Sequence, residues 1–137
     1  MSKTIVVGLA VTAVVFLALD AIWLGLVSRG LYQREIGPLL LEGPRLGAAA
    51  AFYLLYIIGL VYFCVMPGVA EQSVLRGLIN GAFFGVVAYA TYDLTNLATL
   101  KGWSEMLVFI DIAWGCFASA LASAAGTGAA VRVAATG

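Results

Sequence analysis

Four apolar runs, Thr4 to Ser28, Leu46 to Met66, Val74 to Leu100 and Trp103 to Gly126, take up most of this 137-residue chain. A hydrocarbon core needs roughly 20 helical residues to cross it, and within it every backbone polar group must be bonded inside the protein. The runs therefore predict an all-α polytopic membrane protein, four transmembrane helices in an antiparallel bundle, with residues 1–137 forming one domain. Charged residues make up 10% of the chain and mean hydropathy is +1.07, whereas soluble domains carry about 25% charge. The breaks fall at Arg29-Gly30, Gly43-Pro44-Arg45, Pro67-Gly68 and Lys101-Gly102, where proline and glycine suit turns at an interface. The first run resembles a signal peptide in position only. Its apolar stretch from Ile5 to Val27 exceeds the usual length of about 7 to 15 residues, so it is expected to stay as a span.

The segment from Arg29 to Arg45 is the longest connection, with Leu31, Tyr32, Ile36 and Leu39 among Arg29, Arg34 and Glu35. It is expected to be an amphipathic interfacial connector. The tail after Gly126 is small and weakly polar and is expected to fray. Four spans place both termini on one side, here side A. Lys3, Arg76 and Arg132 lie there, against Arg29, Arg34, Arg45 and Lys101 on side B, a slight excess that favours a cytoplasmic side B.

All three aspartates, Asp20, Asp93 and Asp111, lie deep inside apolar runs, while all four glutamates lie in the short polar stretches between the runs or at their edge. A carboxylate near the bilayer centre costs about 2.5 to 3.5 kcal/mol on insertion scales, so three of them point to use. At the helical rise, Asp20, Asp93 and Asp111 each lie about 10 to 12 Å from side B, and Tyr53 and Tyr56 about 10 to 15 Å. Each helix thus brings a polar group to one level. Asp20 and Asp111 are each followed three residues later by a tryptophan, Trp23 and Trp114, a spacing that puts acid and indole on one face. The helices being antiparallel, the two rings are expected to close the acid layer from opposite sides. Trp103 is expected in the interfacial belt. With no Lys or Arg in the hydrocarbon layer, at least one of three close carboxyls is expected to hold a proton.

Span three carries the densest polar string, Tyr89 to Leu100. At about 100° per residue Tyr92, Thr95, Asn96 and Thr99 share a stripe with Gly81, Gly85 and Ala88, and Asp93 flanks it. Gly77, Gly81 and Gly85 form a small-xxx-small repeat, matched in span four by Gly115, Ser119 and Ser123. Such repeats let helix backbones approach in lipid. They are expected to meet another span or, as a homodimer through Gly77, Gly81 and Gly85, a second copy. The candidate ligand-binding set is Asp20, Trp23, Tyr53, Tyr56, Tyr89, Tyr92, Asp93, Asn96, Asp111 and Trp114.

Several chemistries drop out. The chain has no histidine, and its two cysteines, Cys64 and Cys116, lie about 7 Å apart in depth, near the limit for a disulfide. They are expected to be buried and reduced. No zinc or haem ligand set, CxxC, phosphate loop or catalytic triad is present, so no metal and no cofactor are expected; only an all-oxygen metal site stays open. Zero net charge gives no reason to expect a nucleic-acid partner.

Leu19-Asp20-Ala21-Ile22-Trp23-Leu24, the string YATYDLTNLATLKGW ending at Trp103, and Asp111-Ile112-Ala113-Trp114-Gly115 together resemble the bacterial inner-membrane family known as domain of unknown function 2177. The similarity extends to about Ala125. It implies a four-span protein of the bacterial inner membrane, with membrane lipid as its surroundings, and implies no activity, substrate or catalytic residue. Three functions remain in view from the residues: binding of a small or lipophilic ligand at the Asp/Tyr/Trp layer with proton- or cation-coupled transport; a membrane-embedded enzyme, or enzyme subunit, acting on a lipid; and an accessory subunit of a membrane complex.

Overall fold

The computed structural model describes residues 2–137, which contain helices and turns and no strand. Four helices are long and apolar enough to cross a membrane: α1 (Lys3–Leu39), α2 (Leu46–Ala70), α3 (Val74–Thr99) and α4 (Glu105–Thr136). Three begin at a serine. Ser2, Ser73 and Ser104 each turn a hydroxyl onto a first-turn amide, of Ile5, Arg76 and Leu107, satisfying a donor the helix itself leaves free. Glu71 and Arg76 pair at 2.9 Å across the short α2–α3 turn on side A. Gly102, at φ +76, makes the turn into α4, a conformation costly for a residue with a Cβ.

α4 is the central helix, packed along α3 on one side and α1 on the other. The α3 seam is built as the small residues predict. A Cβ added to Gly81 would lie 2.5 Å from the Ser119 carbonyl oxygen, and one on Gly77 would lie 3.2 Å from that of Ser123. Gly85 sits directly on the Gly115 backbone. The glycine row is therefore filled by α4 of the same chain, the first of the two partners expected for it. Gly126 meets Thr12 of α1 just as closely, and Phe16, Leu60, Cys64, Ala118 and Ala122 fill the centre. In lipid such contact has to come from packing, because hydrocarbon offers no hydrophobic drive between helices. Thr12 and Thr127 donate to the carbonyls of Gly8 and Ser123 at 2.7 Å, so their hydroxyls are satisfied within the helix. Both cysteines are free, Cys64 fully buried and Cys116 partly so.

Three sequence expectations need correction. The stripe on α3 does not run straight: the buried residues are Gly77, Gly81, Gly85 and Asp93, with the Tyr89 ring on Gly115 between them. Steps of four wind about 40° each around a helix, and helix packing follows such rows. The contact arrives at Asp93, and Tyr92, Thr95 and Thr99 are left exposed. The tail beyond Gly126 is helical to Thr136 with Thr127 and Ala130 buried; its small residues serve close packing. The connector after Ser28 is also helical, to Leu39, with Leu31 and Ile36 buried beside Trp23 and Leu107.

Two π turns, Trp23–Val27 in α1 and Val61–Val65 in α2, interrupt the regular spacing. Ser28 takes the Leu24 carbonyl in the first at 3.2 Å, and Asn80 of α3 takes the Phe63 carbonyl in the second at 3.2 Å. Each turn inserts one residue and rotates everything after it.

Candidate functional site

α2 divides into two halves. From Tyr56 to Val65 it packs into the bundle, whereas between Leu46 and Leu55 every residue but Ala49 and Tyr53 is exposed. That half stands off the bundle on side B. Behind it lies a cavity of about 470 Å³ walled by all four helices, well within the range of about 300 to 1,000 Å³ typical of small-molecule sites. Leu24, Phe52 and Tyr92 edge it and are each substantially exposed. The opening is therefore lateral, towards lipid.

Eight of the ten residues expected from the sequence line this cavity: Asp20, Trp23, Tyr53, Tyr56, Tyr89, Tyr92, Asp111 and Trp114. α1 supplies the acid and indole of one wall, and α4 supplies the other pair. Tyr53 of α2 donates its hydroxyl to Asp20, and Trp114 Nε1 approaches the other oxygen of Asp20 at 3.5 Å. Tyr56 donates or accepts with Ser119 at 2.8 Å and so does not serve an acid. Tyr89 and Tyr92 form the α3 wall. Asn96, a member of the candidate set, approaches Tyr92 and lies outside the cavity lining.

The two Asp-to-Trp elements interlock. Their indoles stack on each other, centroids 4.5 Å apart and planes 8° from parallel, so they do not close the layer from opposite sides. The antiparallel register sets Asp20 against Trp114, about one helical turn deeper than Asp111. The equal depths expected for the acids are thus offset by a turn. Trp23 Nε1 donates to the Tyr32 hydroxyl at 3.2 Å, which in turn donates to Asp111 Oδ1 at 2.5 Å.

Tyr32 is the residue that sequence reasoning missed. It stands nine positions after Trp23, which on a regular helix is about 180° away. The π turn removes one step of rotation and brings Tyr32 to about 80° from Trp23 and about 20° from Asp20. Glu35 reinforces this extension of α1, accepting from Ser104 Oγ at 2.5 Å at the start of α4. Phe52, Leu24 and Ala88 complete the lining. Trp103 packs edge-on against Tyr92, centroids 5.7 Å apart, and its ring nitrogen is buried without a partner among the described residues.

Asp93 sits behind the cavity wall. It is 0% exposed, and neither carboxyl oxygen has a hydrogen-bond donor among the described residues. Its polar neighbour is the Asp111 carboxyl, within hydrogen-bonding reach. Asp111 thus links buried Asp93 to the cavity on one side and to the Tyr32–Trp23 chain on the other. Among the described residues, no His/Cys/Asp/Glu group is arranged to hold a metal ion. The arrangement can accept hydrogen bonds and positive charge, stack flat or apolar groups, and exchange a proton.

Residues 5–128 match the family described as Predicted membrane protein (DUF2177). No curated protein and no solved structure matches the chain.

Proposed function

The chain belongs to the DUF2177 family of predicted membrane proteins, and we propose that it acts as a single four-helix domain of the bacterial inner membrane that binds a lipophilic ligand entering sideways from the bilayer. The observation that carries this reading is the cavity of about 470 Å³, walled by Asp20, Asp111, five tyrosines around them and the stacked Trp23 and Trp114. A polar knot serving only to hold helices together would close on itself; this one borders open space at the edge of a splayed helix. The Asp111 carboxyl, which borders the cavity with the Asp93 carboxyl buried behind it, supports coupling of binding to proton movement.

Native mass spectrometry of the purified chain tests the proposal. The wild type is expected to retain one amphiphile per chain under detergent conditions that strip annular lipid. Ala88→Trp, which fills the cavity from the α3 wall, is expected to lose it while keeping its helical circular dichroism. Equal retention by both proteins would refute the reading.

A further inference from the structure

The lining of the cavity has a single electrical sign. Two carboxyls, Asp20 and Asp111, reach it, and none of the chain's seven Lys and Arg residues does. The remaining polar groups are tyrosine hydroxyls and indole N–H groups, and the two that hold the acids, Tyr53 and Tyr32, already donate to Asp20 and Asp111. An anionic headgroup would find no cation and would face two acids. The other surfaces are aromatic faces and edges, whose electron-rich faces attract positive charge. Behind them, Asp93 is wholly buried with no donor of its own and rests against Asp111. The Asp111 carboxyl faces the cavity and is the group with which an arriving positive centre can pair.

We infer that the cavity is a cation box: its ligand carries an ammonium or similarly delocalised positive centre on an apolar body, seated between Asp20 and Asp111 among the aromatic rings. This inference rests on the ligand-binding reading above and narrows it to one class of ligand. Anionic and neutral amphiphiles are poor occupants. The positive centre can belong to a free lipophilic cation or to an amine-bearing lipid headgroup, since both present the same chemistry to the lining.

A pair of near-isosteric ions of opposite sign separates charge from shape. Radiolabelled tetraphenylphosphonium is titrated against the full chain in uncharged detergent, beside tetraphenylborate. Saturable binding of the phosphonium, with tetraphenylborate at least about tenfold weaker, is expected. Asp20→Asn and Asp111→Asn, which keep shape and remove charge, should each weaken the phosphonium by about tenfold or more, a change of about 1.4 kcal/mol. Competition then identifies the source: displacement by phosphatidylethanolamine and not by phosphatidylglycerol assigns a lipid headgroup, and no displacement by either assigns a free cation. If tetraphenylborate binds as well as the phosphonium, or if the chain keeps its one amphiphile in the mass spectrum yet ignores the phosphonium, the cation box is wrong and the pocket stands. Loss of both signals overturns the box and the pocket together.

Discussion

Replacing Gly81 with alanine tests the seam that holds the cavity walls in place. The added Cβ would lie 2.5 Å from the Ser119 carbonyl oxygen and 2.7 Å from both Cβ and Oγ of Ser123. The closest of these is backbone and cannot rotate away, so α3 and α4 must part by roughly half an ångström to nearly one. A gap of about 0.5 to 1 Å forfeits about a quarter to a half of each dispersion contact it opens. Overpacking of this kind costs about 1 to 3 kcal/mol. Against that, alanine gains about 0.5 to 1 kcal/mol over glycine in a helix interior. Gly30→Ala supplies the comparison, because nothing lies within 4 Å of a Cβ there and only the helix gain remains. The two variants should therefore separate by about 1 to 3 kcal/mol in reversible unfolding by SDS in mixed micelles, followed by circular dichroism. If both alanines stabilise the protein equally, the glycine row is not in close contact and the placement of α3 against α4 is wrong.

Tyr32→Phe removes the acceptor of Trp23 and the donor of Asp111 together. It should cost about 1 to 3 kcal/mol, the penalty of leaving a buried polar group unpaired, and shift tryptophan emission; an unchanged spectrum and midpoint would mean that α1 does not extend over the cavity. Cys64, 0% exposed among Leu60, Ala118 and Ala122, should resist maleimide in the folded protein and react once SDS unfolds it, and rapid labelling in the native state would contradict the central packing.

The four spans and the small-residue seam were legible because both depend on local regularities: a run of apolar residues long enough for the bilayer, and glycine or serine at every fourth position. So was the polar layer, since each of Asp20, Asp93 and Asp111 stands out against an apolar background. What regular spacing could not deliver was phase. Tyr32 falls opposite Trp23 on an unbroken helix and comes into place only through a π turn, for which WLGLV carries no distinctive residue. Asp93 was placed at the edge of a straight stripe, whereas the contact with α4 winds along the row of fours and buries it completely. Thr127 and Ala130 look like fraying residues because they are small, and they pack for the same reason. The cavity itself is a property of spacing between helices. Depth arithmetic sets Tyr53 and Asp20 at similar levels but contains nothing about α2 leaning away.

The crossed pairing of Asp20-x-x-Trp23 with Asp111-x-x-Trp114 also fixes how far α1 can slide. Greasy helices in a membrane have little to stop them shifting lengthwise, since one ring of alkyl contacts is much like the next. Here a slip of one turn, about 5.4 Å, would bring carboxyl opposite carboxyl and strip each indole of its stacking partner. Four side chains thereby act as a detent, and the height of α1 in the bilayer becomes a discrete setting rather than a continuous one.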